Sequence, residues 1–183
     1  MSFLLKNIPN FLTILRMAAV PIFASLMMDE NLFAAAVIFV LAEITDVLDG
    51  IIARQFNFIT AFGKIVDPFA DKLMQLTALF MLARRELIHG FVPWLVLFKE
   101  LFLLISGLYI LKSKKKVDVS SKWFGKLTSV LLFIAIMLVF LNVPSAITDT
   151  MFWICVGMAI FSAVMYIVNY YKQVGEAAIN EQE

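Results

Sequence analysis

Four aspartates at short, regular spacings are the residues of this 183-residue chain best suited to chemistry: Asp46, Asp49, Asp67 and Asp71. An α-helix turns by about 100° per residue, so the first two would lie about 60° apart on a helix and the last two about 40° apart. Each pair therefore shares one helical face. Four carboxylates in one low-dielectric pocket repel one another, and protons or cations must neutralise them.

Hard divalent cations suit such an all-carboxylate set, which has no His or Cys nearby in the sequence. Two ions bridged by shared carboxylates form the clamp that commonly serves phosphoryl displacement. The sequence thus predicts Mg²⁺ or Mn²⁺, with two ions expected. A plainer alternative is that the aspartates form buried salt bridges with Arg54, Lys64 and Lys72, although four acids on two faces outnumber these bases.

The chain around these carboxylates has the composition of a membrane protein. Apolar residues make up 62% and charged residues 16%, against about 45–50% and about 25% in soluble domains, and the mean hydropathy is +0.93. A soluble domain of this length could not bury so much apolar surface. This composition excludes a disordered chain and an ordinary soluble enzyme. The single cysteine, Cys155, excludes a disulfide-stapled module, and a net charge of +1 argues against a nucleic-acid partner.

Six stretches are long and apolar enough to cross a bilayer as helices, which takes about 20 residues each. They are Phe11–Met28, Leu32–Arg54, Gly63–Leu82, Phe91–Leu111, Trp123–Leu141 and Ile147–Tyr171. Residues from Met1 to Ile8 are expected to form a short interfacial helix rather than a signal peptide, and the polar tail, about 175–183, is expected to fray. We therefore expect an all-α integral membrane protein of six transmembrane helices, forming a single domain over 1–183.

The distribution of Lys and Arg predicts the orientation in the cell membrane. One side would hold only Arg84 and Arg85. The other would hold Lys6, Arg54, Lys64, Lys112, Lys114, Lys115, Lys116, Lys122, Lys126 and Lys172. Because cytoplasmic loops carry the excess of positive charge, both termini and the aspartates are expected on the cytoplasmic side.

The second and third predicted helices carry charges that lipid should exclude. These are Glu43, Asp46 and Asp49 on one, and Asp67, Asp71 and Lys72 on the other. A charge near the bilayer centre costs about 2.5–3.5 kcal/mol even on the mildest scale, so these groups must face one another, a water-filled cavity or a metal. A small cation transporter with an intramembrane ion path would also satisfy this requirement and is the alternative of another class.

The spacing of the aspartates extends into a longer pattern: Asp46-x₂-Asp49-Gly50-x₂-Ala53-Arg54-x₈-Gly63-x₃-Asp67-x₃-Asp71. It matches every fixed position of the signature of the CDP-alcohol phosphatidyltransferase family, which the chain resembles. The opening Asn7-Ile8-Pro9-Asn10, with Thr13, Arg16 and Pro21, is similar to that of the phosphatidylglycerophosphate synthase and cardiolipin synthase branches. A transporter would explain the acids but not the Gly, Ala and Arg at fixed gaps.

The resemblance implies phospholipid biosynthesis, in which a substituted phosphate passes from a CDP-linked lipid to an alcohol with release of CMP. It implies that Asp46, Asp49 and Asp67 ligate the metal ions, and that Asp71 ligates them and also takes the proton of the acceptor hydroxyl. It further implies a homodimer, and contacts to the CDP donor from Asp49, Gly50, Ala53, Arg54 and Gly63.

The acceptor alcohol is predicted to be glycerol 3-phosphate, with phosphatidylglycerol, the acceptor of a cardiolipin synthase, as the alternative. The glycerol-phosphate branch has an Arg-Glu pair on helix four and a Gly-Lys-x-Lys-Thr element at helix five. Here the pair is Lys99-Glu100, and the element, 125–128, lacks the second Lys; both departures favour the alternative. The candidate acceptor contacts are Lys126, Lys122 and Lys112, although such lysines also set topology and contact anionic lipid.

Overall fold

The computed structural model describes residues 8–55, 61–112 and 123–180, with side chains described except at 8–10, 49, 52–54, 61–65, 67–68, 107–112, 123–124, 126 and 170–180. The described residues form six α-helices and no strand, which confirms the all-α prediction. The helices are α1 (Ile8–Met28), α2 (Leu32–Gln55), α3 (Ala61–Arg84), α4 (Val92–Lys112), α5 (Trp123–Phe140) and α6 (Ser145–Asn180).

Most of the observed bounds differ from the sequence prediction by one to three residues, and the end of α6 differs by more. Helix α3 begins at Ala61, two residues before Gly63. Helix α6 continues through Asn180, beyond the predicted end of the sixth span at Tyr171, and the expected fraying of the tail from about residue 175 stays a prediction. The predicted interfacial helix from Met1 to Ile8 lies outside the described residues except for Ile8, which begins α1.

The helices divide between two compact units, an N-terminal unit (Met1–Leu87) and a C-terminal unit (Ile88–Glu183). In the N-terminal unit, α1 packs against both α2 and α3. The rings of Phe23 and Phe39 meet with centroids 6.0 Å apart, and small buried residues allow the backbones to approach closely. These small residues are Ala35, Ala42, Ala70 and Ala78.

Three of the helices end without glycine. A residue in the left-handed conformation reverses the chain after each: Glu30 (φ 62°), Glu86 (φ 59°) and Asn142 (φ 52°). After α3, the Leu87 N–H donates to the Leu82 carbonyl at 3.0 Å, and the Glu86 N–H donates to the Ala83 carbonyl at 3.0 Å. This pair of bonds is the Schellman motif, which satisfies carbonyls that the helix itself leaves unpaired.

Arg85 joins the end of α3 to the turn between α1 and α2. Its Nη1 donates to the Met27 carbonyl at 3.1 Å, and its Nη2 lies 3.5 Å from Glu30 Oε1. The end of α3 therefore lies beside the start of α2, and these two helices run antiparallel. Asn31 caps α2, accepting a hydrogen bond from the Ala34 N–H at 3.1 Å.

In the C-terminal unit, α6 packs against both α4 and α5. Apolar side chains fill the contact, among them Ile136, Phe152 and Ala159. Lys99 and Glu100 form an ion pair of 2.7 Å on α4. Lys99 also lines an apolar groove of about 270 Å³ with residues of α6.

The surface of both units is rich in exposed apolar side chains, as expected where lipid rather than water is the solvent. Examples are Phe33 (82% exposed), Phe98 (64%) and Ile160 (58%). Within the part of the chain that the structure describes, two helical segments are long and apolar enough to cross a membrane, Phe11–Met28 and Ser145–Asn169. The other four predicted spans are not confirmed.

Replacing Arg85 by Gln should lower the thermal stability of the purified protein. The change removes a charge-assisted hydrogen bond to a helix-terminal carbonyl, a loss of about 1 kcal/mol for a partly exposed group. A fall of a few degrees in Tm in detergent is expected.

The matched control is Arg84→Gln, which removes the same charge from the neighbouring, exposed position and should leave the Tm within about a degree of the native value. Equal Tm values for the two variants would contradict the linking role of Arg85.

Candidate active site

Asp46, the first signature aspartate, is held by a cation from another helix. Arg16 on α1 forms an ion pair with it, Nη1 donating to Asp46 Oδ1. The Nε of Arg16 donates to the Ala42 carbonyl at 3.3 Å, one turn earlier on α2. The Arg16 side chain is 1% exposed and that of Asp46 is 35% exposed, so the arginine approaches from inside the unit.

Asp71, the fourth signature aspartate, is half-buried on α3 between two polar neighbours. Its Oδ2 lies 3.6 Å from Lys72 Nζ, and its Oδ1 accepts a hydrogen bond from Gln75 Nε2 at 3.4 Å. Gln75 is itself buried. Asp71, which could exchange a proton with an acceptor, therefore contacts two polar residues of its own helix.

Asp46 and Asp71 lie at the same depth in the N-terminal unit. The antiparallel α2 and α3 share the end marked by Arg85. Measured from that end at 1.5 Å per residue, Asp46 is about 21 Å from Leu32 and Asp71 about 20 Å from Arg84. The two carboxylates thus come to one level, as the shared-pocket prediction requires.

Glu43 lies at the meeting point of these groups. The carboxylates of Asp71 and Asp46 and the cations of Arg16 and Lys72 all lie close enough to act on its charge. Acids of α2 and α3 therefore lie near one another, and Glu43 joins Asp46 and Asp71. That all four aspartates share one pocket stays a prediction, because the side chains of Asp49 and Asp67 are outside the described set.

The sequence interpretation did not assign Arg16, Glu43 or Gln75 to the site. Glu43 precedes Asp46 by three residues, so helical spacing alone places it on that face. The signal for Arg16 was a lone cation within an apolar span. Gln75 carried the weaker signal of a polar side chain one turn after Asp71.

The remaining predicted site residues are described only in part. Gly50 is half-buried on α2, one turn after Asp46. The others lie on described helical backbone with side chains outside the described set: Asp49, Ala53 and Arg54 on α2, Gly63 and Asp67 on α3, Lys112 on α4 and Lys126 on α5. Lys122 lies outside the described residues altogether.

The alternative in which the aspartates form salt bridges with nearby bases is confirmed for one pair. Lys72 does pair with Asp71, whereas Arg54 and Lys64 fall outside the described side chains. The observed partner of Asp46 is Arg16, which the alternative did not include.

The carboxylate ligands that the structure describes suit a hard divalent cation. Carboxylate oxygens of Asp46, Asp71 and Glu43 are the ligands that Mg²⁺ and Mn²⁺ prefer. Among the side chains that the structure describes, no three such groups stand in a metal-binding arrangement; Asp49 and Asp67 are outside that set. The chemistry of the donors fits the ion, and one cation already present, Arg16, offsets part of the negative charge.

Comparison with known proteins identifies the family. The sequence profile of the CDP-alcohol phosphatidyltransferases matches residues 6–165, most of the chain. The chain belongs to the CDP-alcohol phosphatidyltransferase family. The match includes α1 through α5 and the greater part of α6, and confirms the resemblance inferred from the signature.

Relatives of this phosphatidyltransferase align over nearly their whole length. A Rickettsia typhi protein is 33% identical over 172 residues, covering 88% of this chain and 96% of the relative. Proteins of Bacillus subtilis (29% identical, 87% and 93% covered) and Aquifex aeolicus (27% identical, 92% and 98% covered) align similarly. All three are named CDP-diacylglycerol–glycerol-3-phosphate 3-phosphatidyltransferase.

Replacing Glu43 by Gln should stabilise the metal-free phosphatidyltransferase. Glu43 is half-buried beside Asp46 and Asp71, so loss of hydration first, and the like charges second, make its ionised form costly in the folded protein. We expect the Tm in chelator to rise by a few degrees, equivalent to about 1 kcal/mol.

Glu100→Gln is the comparison variant, and its Tm is expected to change in the opposite direction. It removes a carboxylate that is paired with Lys99 at 2.7 Å and should lower the Tm, because it leaves a largely buried ammonium without its counter-charge. A fall in Tm for Glu43→Gln in chelator would contradict the convergence of the acids.

Proposed function

We propose that the protein transfers the phosphatidyl group from CDP-diacylglycerol to glycerol 3-phosphate, giving phosphatidylglycerophosphate and CMP. The observation that carries this proposal is the set of relatives that bear the name of that activity and cover most of the chain. Family membership supports the transferase class, and the converging acids of α2 and α3 support the location of the chemistry.

Asp46, Asp49, Asp67 and Asp71 are the proposed ligands of Mg²⁺ or Mn²⁺, with two ions per site. The ions, when bound, would neutralise the pyrophosphate and the charge that develops on the departing CMP. The proposal is supported by the carboxylate chemistry of Asp46 and Asp71 and by their common depth.

Asp71 is the proposed general base. The acceptor oxygen attacks the phosphorus that carries the diacylglycerol, the bond from that phosphorus to CMP breaks, and the hydroxyl proton passes to the Asp71 carboxylate. Gln75 and Lys72 hold this carboxylate at 3.4 Å and 3.6 Å, which orients it for the transfer.

The donor is proposed to contact Asp49, Gly50, Ala53, Arg54 and Gly63. Small residues at three of these positions let a nucleotide approach the helix backbone closely. The half-buried position of Gly50, one turn after Asp46, is consistent with this role.

The acceptor is proposed to contact Lys126, Lys122 and Lys112. A phosphate such as that of glycerol 3-phosphate pairs favourably with an ammonium group. Phosphatidylglycerol remains the second acceptor, because Lys99 stands where the glycerol-phosphate branch has Arg, and because the second Lys of the 125–128 element is missing.

We also propose that the chain is a single membrane domain over 1–183 with six spans, and that it acts as a homodimer. The exposed apolar side chains on both units support embedding. Lys and Arg counts support cytoplasmic termini. The depth of Asp46 and Asp71, about 20 Å from the Arg85 end of a core about 30 Å thick, supports a site towards the cytoplasmic face.

Asp71→Asn should reduce CMP release from CDP-diacylglycerol by at least about 100-fold, because an amide cannot accept the acceptor proton. The assay uses purified protein in mixed micelles with Mg²⁺ and glycerol 3-phosphate. Asp29→Asn, at an exposed turn position, is the matched control and should retain full activity. Turnover near the native rate in a folded Asp71→Asn protein would overturn the assigned role.

An acceptor screen with labelled CDP-diacylglycerol tests the substrate. We expect labelled phosphatidylglycerophosphate with glycerol 3-phosphate, and little product with phosphatidylglycerol, serine or inositol phosphate. Cardiolipin as the main product would establish the second acceptor instead. Ion flux into liposomes without any CDP-lipid, together with no CMP release, would favour the transporter.

Lys126→Ala should raise the KM for glycerol 3-phosphate about 10-fold or more while leaving the KM for CDP-diacylglycerol nearly unchanged. The loss of one charge-assisted contact to a phosphate has this magnitude. Lys116→Ala, in the neighbouring lysine run, removes the same charge and should change neither value. Equal effects of the two variants would indicate a general electrostatic contribution rather than an acceptor contact.

A further inference from the structure

The largest fully buried side chain of the described residues is a cation, Arg16. It lies within an apolar helix of the N-terminal unit, where an uncompensated charge is costly. None of the roles proposed above uses it.

Two contacts of Arg16 reach the same stretch of α2. Nη1 reaches Asp46 Oδ1, and Nε reaches the Ala42 carbonyl at 3.3 Å. Ala42 and Asp46 are four residues apart and therefore lie on the same helical face. Because the guanidinium is planar and rigid, two contacts from one arginine fix both its own orientation and that of the carboxylate.

The arrangement leaves Asp46 accessible. Its side chain is 35% exposed, against 1% for Arg16, so the arginine holds the carboxylate from its buried side. A charged donor behind a metal-ligating carboxylate is a common way to orient the ligand, and removing such a partner typically costs about 10–100-fold in metal affinity or activity.

We propose that Arg16 is a positioning residue for the divalent-ion site: it orients the Asp46 carboxylate from inside the helical unit and so sets the affinity for the ion. This inference rests on the proposed function, in which Asp46 is a metal ligand. It extends the site to α1, a helix outside the 46–71 signature.

Two opposite effects of Arg16 on ion affinity can be separated by experiment. As a nearby positive charge alone, Arg16 would repel a divalent cation, and its neutralisation would tighten binding. As a positioning group, its loss weakens binding, because Asp46 is no longer held. The proposal requires that orientation outweighs repulsion, which makes the sign of the change decisive.

The experiment is a titration of the purified full-length protein in detergent with Mn²⁺, followed by electron paramagnetic resonance in the absence of CDP-lipid. Arg16→Gln should weaken Mn²⁺ binding about 10-fold or more. Arg16→Lys keeps the charge but not the planar fork, and we expect a smaller weakening of about threefold or more. The lysine variant keeps the prediction measurable if Arg16→Gln does not fold.

Arg85→Gln is the matched control. Arg85 also contacts a helix carbonyl and a carboxylate, those of Met27 and Glu30, but at the end of the unit remote from Asp46. It should lower the Tm and leave the Mn²⁺ dissociation constant unchanged. This comparison separates a loss of stability from a loss of metal affinity.

A second readout is the dependence of activity on Mn²⁺ concentration. For Arg16→Gln, the concentration at half-maximal rate should rise about 10-fold or more, with a smaller change in kcat at saturating metal. Unchanged or tighter Mn²⁺ binding in folded Arg16 variants would overturn the inference and leave the proposed function standing. Failure of the native protein itself to bind Mn²⁺ would overturn both.

Discussion

The structure of the N-terminal unit depends on how it accommodates charge within helices that are otherwise apolar. Glu43, Asp46 and Asp71 converge from α2 and α3, and ionised carboxylates are costly to keep in a low-dielectric interior unless cations accompany them. Arg16 supplies one such cation from α1 and Lys72 another from α3. The packing of α1 against α2 therefore supplies a counter-charge to the acids as well as burying apolar surface.

Local patterns in the sequence predicted the helices well. Runs of apolar residues separated by short polar segments gave the last residue of α1 and the first residue of α2, because Asp29, Glu30 and Asn31 form a turn that is stabilised by bonds within the segment itself. The bounds of α6 were predicted less well. A polar composition after residue 175 indicates exposure to water, and exposure alone does not end a helix that lacks a breaking residue.

The convergence of the acids was also predictable, since helical spacing fixes which residues share a face. The partner of Asp46 was not. Spacing relates residues on one helix only, while Arg16 and Asp46 are separated by 30 positions and meet because α1 packs against α2. The sequence interpretation sought counter-charges close in the chain, at Arg54, Lys64 and Lys72, and one of these three, Lys72, is observed beside its aspartate. The acceptor depends on side chains from distant helices and was inferred from family patterns alone.

The contacts of Arg85 have a mechanical consequence for the N-terminal unit. They tie the ends of α1 and α3 and the start of α2 together, about 20 Å from the carboxylates by helical rise. Over that length, a change of about 5° in the tilt of one helix would shift its carboxylate by about 2 Å, comparable with one metal–oxygen bond. The spacing of the acids therefore depends on the packing of α1 against α2 and α3 along the helices, and not on the contacts at the tied end alone.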